Sequence, residues 1–126
     1  MKALRIPVFV LLLLLLMAVA SAVTITRQKD RWTSQLDDME SAAVQDNWAE
    51  ADVYMSTLED DWETWQTYLH VVAEHQEIDV AENLLQLCRL HCDEQDTAAL
   101  RVAVSQLRFQ LSVIAETEAF SIKNIL

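Results

Sequence analysis

The sequence contains no glycine, and that absence limits what the chain can fold into more than any motif it carries. A protein of 126 residues would ordinarily hold roughly nine glycines. Tight β-hairpins need residues at φ > 0, and phosphate-cradling loops need backbone unobstructed by Cβ, so both lose their usual residue. Rossmann, P-loop, kinase and nucleophile-elbow arrangements are excluded on that ground. The one proline is Pro7, and nothing in the 119 residues after it forbids helix. The expected fold class is all-α: an N-terminal transmembrane helix followed by an antiparallel three- or four-helix bundle.

The N-terminal segment sets the location. Between Arg5 and Arg27 lie 21 uncharged residues, including the six-leucine block Leu11 to Leu16. As a helix rising ~1.5 Å per residue they reach about 30 Å, the hydrocarbon thickness of a bilayer. A cleaved secretory signal is the competing reading. Lys2 and Arg5 make a basic n-region, Val8 to Ala20 an apolar core, and Ala20-Ser21-Ala22 fits the small-x-small cleavage rule. Val23, Thr24 and Ile25 extend the apolar stretch past that site, and Arg27, Lys29 and Arg31 form a membrane-edge flank, which favours a retained anchor. No cysteine stands near residue 22, so lipid attachment after processing is excluded. The two basic flanks are nearly balanced and orient the helix weakly. A short N-terminal tail most simply stays in the cytoplasm. That divides the chain into a membrane anchor or signal at 1–26 and an extracytoplasmic helical domain at 27–126, at the cell membrane or, after cleavage, secreted.

That second part is strongly acidic. The chain carries −11, and setting aside the positive Lys2 and Arg5 leaves −13 on the remainder. From Trp32 to Cys88 there is no Lys or Arg, whereas 14 Asp or Glu fall between Asp37 and Glu82, among them Glu59, Asp60, Asp61 and Glu63. A solvated helical face that repels anionic headgroups accounts for this pattern, and a surface for a basic partner or divalent cations is the functional alternative. Nucleic acid is excluded as a partner, because its phosphates are repelled by the same field.

Helical periodicity is clearest from residue 46 to about 76, where Trp48, Ala51, Met55, Leu58, Trp62, Trp65, Leu69 and Val72 keep strict 3,4 spacing. Asp46 is the expected N-cap. A preceding helix presents Trp32, Leu36, Met39 and Ala43 and continues from the membrane segment without a break. A third, about 78 to 93, presents Ile78, Ala81, Leu85, Cys88 and Cys92. The fourth, about 96 to 118, presents Leu100, Ala103, Leu107, Leu111 and Ile114, with a second apolar line of Val102, Phe109 and Val113 on its opposite side. Two apolar faces need two partners. A central position for this helix is favoured, and contact with another chain is the alternative. Short connections make neighbouring helices antiparallel. The apolar ending Phe120 to Leu126 is expected to dock on the bundle.

The order of these features resembles a known family. The N-terminal membrane helix, Asp46-Asn-Trp48 with Ala51 opening a long helix, the pair Trp62 and Trp65, His75-Gln-Glu-Ile-Asp79 and the ending Phe120-Ser-Ile-Lys-Asn-Ile-Leu126 are similar to domain of unknown function 4363, a family of Gram-positive spore-forming bacteria. The likeness covers nearly the whole chain. It implies a small membrane-anchored helical protein and carries no established activity. Cys88 and Cys92 lie outside the shared pattern.

Few residues are candidates for chemistry. Cys88 and Cys92 flank His91 four apart on one apolar stripe, where free cysteine acts as a small hydrophobe. Metal ligation lacks a second ligand pair, and a bridge between them asks for Cβ atoms closer than i,i+4 positions allow. His75, Glu77 and Asp79 gather at a helix junction. They either cap and fix the turn or form a carboxylate–imidazole site for a cation or for acid–base work. His70, five residues earlier, does not share their helix face. No nucleophile pairs with these groups, so no enzyme, cofactor or metal centre is expected. Core packing explains Trp62 and Trp65 by their phase, with a peptide or glycan platform as the rarer use. The function expected is non-catalytic binding or scaffolding at the outer membrane face, toward a protein partner or a second copy. His75, Glu77, Asp79, Trp62, Trp65 and Phe109 are the residues most open to contact or junction roles. A cation- or metal-binding module is the alternative.

Overall fold

The computed structural model describes residues 2–125, with the side chains of residues 3–119. Four helices follow one another: α1 (Lys2–Val44), α2 (Trp48–Val72), α3 (His75–Asp93) and α4 (Thr97–Ile125). No strand occurs among the described residues. The connections are two or three residues long, so each helix returns beside the one before it. Successive helices and the α1–α4 pair are in contact, giving an up-down-up-down four-helix ring. The expected all-α architecture is therefore the one observed.

Each expected stripe faces the common core. Trp32, Leu36, Met39 and Ala43 of α1 are buried, as are Ala51, Met55, Leu58, Trp62 and Leu69 of α2. Ile78, Ala81, Leu85, Cys88 and Cys92 of α3 join them with Leu100, Ala103, Leu107, Leu111 and Ile114 of α4. Trp48, Trp65 and Val72 are half-buried at its edge. Trp32 and Trp62 meet with ring centroids 5.0 Å apart at a 47° tilt, a favoured offset arrangement. Packing on α1 begins inside the uncharged stretch. Ile25 is buried in the core, and the Ser21 hydroxyl lies 2.7 Å from that of Tyr68. Further toward the N-terminus the helix is bare: Leu4, Ile6, Phe9, Leu11, Leu16 and Met17 are exposed.

Two expectations are corrected. Helix α4 is not central: it packs chiefly against α1 and α3, and of its second apolar line Val102 and Phe109 are 59% and 71% exposed while Val113 is half-buried. The N-cap of α2 is Asn47, whose side-chain oxygen accepts from the Glu50 N–H at 3.3 Å. Asp46 is displaced from that role because it holds a left-handed backbone at φ 57°. There it completes a Schellman turn: its N–H reaches the Ala43 carbonyl at 3.0 Å and the Asn47 N–H that of Ala42 at 2.8 Å. The docking expected of Phe120 to Leu126 concerns side chains outside the described set.

The α3–α4 connection repeats this device. Gln95 stands at φ 55°, its N–H and that of Asp96 reach the Cys92 and His91 carbonyls at 3.1 Å each, and Asp96 Oδ1 accepts from the Ala99 N–H at 3.1 Å. Both turns thus place a side-chain-bearing residue where glycine is usual, at a penalty of about 1 kcal/mol each. Asp46→Gly and Gln95→Gly should each raise unfolding stability by about 1 kcal/mol. Asn47→Ala and Asp96→Ala should each lower it by about 1 kcal/mol. Chemical denaturation of the four variants checks both signs, and a loss of stability in either glycine variant would contradict the assignment.

Candidate functional site

The polar groups expected at the α2–α3 junction are brought close in chain terms but turned apart. His75 opens α3 and faces back across the turn, so that its Nδ1 lies 3.0 Å from Nδ1 of His70. One continuous helix face would separate these two histidines; the break at Ala73 and Glu74 folds them together, with ring centroids 5.1 Å apart. His70 Nε2 is 3.5 Å from Glu82 Oε1, and the Trp62 indole N–H donates to the same oxygen at 3.4 Å. Donation from His70 Nε2 to Glu82 leaves its Nδ1 as the lone-pair atom, and an Nδ1–H on His75 completes the chain. The string Trp62, Glu82, His70, His75 ties the end of α2 to the start of α3.

Glu77 belongs to a different contact. Its carboxylate accepts from Gln110 Nε2 at 2.7 Å, and the same amide reaches the Glu77 carbonyl at 2.9 Å, fastening α3 to α4. The capping role expected of Glu77 and Asp79 is not taken: Glu74 is the N-cap of α3 and makes no side-chain cap bond. Asp79 is exposed. The expected trio therefore does not converge: His75 and Asp79, four apart, share a face of α3, while Glu77 is turned to the far side and bound to Gln110.

The same geometry divides the acidic run of α2. Glu59 binds Arg89, while Asp61 accepts from Gln35 at 3.1 Å and lies 3.3 Å from Arg31. Asp60 and Glu63 are exposed. Arg89, the first cation after Arg31, is the junction that sequence reading missed. Its guanidinium contacts Asp52 at 2.6 Å, Asp93 at 3.1 Å, Ser56 Oγ at 3.0 Å and, through Nε at 2.9 Å, Glu59. These bonds, led by that to Glu59, hold its proton more tightly than usual, against the opposing effect of burial. Its solitary place in an acidic sequence was the available signal. Among the described residues no three His, Cys, Asp or Glu side chains are disposed to hold a metal ion.

Cys88 and Cys92 are free and buried. Burial, helped by its neighbour Cys92, pushes the Cys88 thiol up to about 12, and burial also raises that of Cys92 despite the attraction of Arg89. Trp62 and Trp65 line a cavity of about 10 Å³ with Trp32, Gln28 and Ile25, room for one water and no larger ligand. Trp32 Nε1 and Gln28 Nε2 find no protein acceptor. A glycan or peptide platform is not what these rings form, because Trp62 is buried and Trp65 packs edge-on to Tyr68 at 5.6 Å. Phe109 alone among the singled-out aromatics stands free on the surface.

Taken together, the molecule is a four-helix bundle grown from a single apolar helix long enough to cross a membrane. The family model for domain of unknown function 4363 (DUF4363) matches residues 19–125, and the chain belongs to that family. No curated protein and no solved structure matches it. The match begins two residues before Ser21, where the bundle's contacts with α1 begin.

Two outcomes follow from the ion pairs and thiols. Arg89→Ala, which leaves three carboxylates facing one another, should lower stability by about 2 kcal/mol. Arg101→Ala, at a pair whose guanidinium is 60% exposed, should change it by less than about 0.5 kcal/mol; urea unfolding separates the two. Because the folded thiol of Cys88 titrates above its unfolded counterpart, its stabilising effect is complete below about pH 8.5 and is lost as pH rises toward 12. Thermal unfolding under reducing conditions should show this alkaline loss, and Cys88→Ala should flatten it.

Proposed function

We propose that the protein is a retained single-pass membrane anchor whose acidic helical bundle stands on the extracytoplasmic side and acts by binding or scaffolding, without catalysis. The observation that carries this reading is the continuity of α1. One helix runs from the exposed apolar residues into the buried core. Cleavage after Ala22 would remove Ser21 and its bond to Tyr68 and leave Ile25 near a new chain end. A signal sequence is normally disposable, whereas this one supplies a contact to the fold.

The non-catalytic part rests on how the polar side chains are used. His70, His75, Glu77, Asp61 and Glu59 are engaged in contacts between helices, and no hydroxyl or thiol is hydrogen-bonded to His70 or His75 among the described residues. The face open to a partner is the outer line of α4, where Val102 and Phe109 are exposed beside shallow grooves around Arg101 and Arg108.

The reading predicts that the protein recovered from membranes keeps residues 1–22 by intact mass. A shortened protein in the medium would overturn the anchor. Phe109→Ala should keep the thermal midpoint within about 3 °C, as surface substitutions do, yet abolish a crosslink formed in intact cells; loss of fold instead would count against a contact role. Millimolar calcium, magnesium or zinc should leave the midpoint unmoved, since a ligand that binds only the folded form must raise it, and a rise would favour the cation-binding alternative.

A further inference from the structure

We infer that the α2–α3 turn and the end of α4 are seated in the headgroup layer of the bilayer that α1 crosses, so that the bundle touches lipid directly. The inference rests on the anchor reading above and goes beyond it, because an anchored domain can equally stand clear of the surface on a stalk.

The geometry leaves no stalk. Tyr68 lies beside Ser21, and α2 continues past it to Val72, about 6 Å further toward the N-terminal end of α1 at ~1.5 Å per residue. The turn is thus level with about residue 17 of α1 by the same rise. Helix α4 reaches a similar depth. Ile114 borders the same cavity as Ile25, and the helix runs on to Ile125, about 16 Å beyond. Between Arg5 and this end of the bundle only residues 6–17 stand alone, about 18 Å of helix against a hydrocarbon layer of ~30 Å. Exposure follows the same division. Positions 3–14 are all bare, and cover rises through Leu15, Ala18 and Ala22 to the buried Ile25. Snorkelling of Arg5 recovers only a small part of the shortfall.

The surface at this end suits the polar–apolar boundary. Val71, an apolar side chain, is 79% exposed. Trp65 and Tyr68, half-buried and stacked edge-on, are the residue types that gather at membrane interfaces. The exposed carboxylates of Glu74 and Glu116 set the limit of immersion, since burying them in hydrocarbon is strongly unfavourable. Headgroup depth satisfies both groups, and local thinning of the bilayer around the short rod takes up the rest of the shortfall.

The test uses the full chain in vesicles of phosphatidylethanolamine and phosphatidylglycerol, with a fluorophore on Val71→Cys or, at the opposite end of the bundle, Val102→Cys. Both positions are exposed, and the buried native thiols of Cys88 and Cys92 leave the introduced one to react. The protein should float with the vesicles. Lipids bearing a quencher near the headgroup should then quench the Val71 probe severalfold more than the Val102 probe. Flotation with equal quenching at the two sites overturns this inference and leaves the anchor standing. Stronger quenching of the Val71 probe from the acyl-chain centre than from the headgroup overturns the assigned depth. Failure to float overturns the anchor reading and this inference with it.

Discussion

The structure depends on one helix whose uncovered apolar start and buried core stripe are continuous. From Leu15 the partly or fully covered positions of α1 run through Ala18, Ala22 and Ile25 and then Trp32, Leu36, Met39 and Ala43, a 3,4 spacing that never changes phase. The apolar rod and the core stripe are therefore one surface, and the rest of the bundle assembles on its upper part. With no glycine in the chain and no break in α1, there is no hinge between them. The bundle's height and rotation relative to the rod are fixed by packing.

Charge is arranged to make that packing tolerable. The bundle is strongly acidic, yet its few arginines sit across the seams between helices: Arg31 to Asp61 between α1 and α2, Arg89 to Asp52 and Glu59 between α2 and α3, Arg101 and Arg108 to Glu40 between α4 and α1. The α3–α4 seam has an amide in that place, Gln110 bound to Glu77. The exposed acids, Asp60 and Glu63 among them, keep the outer surface negative. This division explains why a run of fourteen acidic positions folds without a compensating basic run: adjacent positions on a helix point to different seams.

Most of the fold was legible because helix is all the composition allows and because the core positions repeat without interruption over four segments. The stripes assigned to α1, α2, α3 and α4 are the buried ones. What could not be read was anything decided by the turns. Asp46 has good N-cap chemistry, but Asn47 does too, and only the left-handed backbone of the Schellman turn chooses between them. His70 and His75 were separated by a helical wheel that holds only if the helix continues; the fold breaks it at Ala73, where no glycine or proline marks the site. Membership of the family and the helical build were visible in the order of motifs. The exposure of Phe109 was not, because a second apolar line on α4 fits a central helix equally well until its neighbours are known.

The central claim is that α1 is a single straight rod running from its uncovered apolar segment into the core, and a distance across it tests this most directly. Spin labels at Phe9 and Val44, both exposed, flank 35 helical steps, for which an unbroken helix gives about 52 Å. Pulsed dipolar spectroscopy on the full chain in vesicles should return one narrow distribution near that length. A broad distribution, or one centred well below it, would mean that the rod bends or breaks between membrane and bundle, and the account would be wrong.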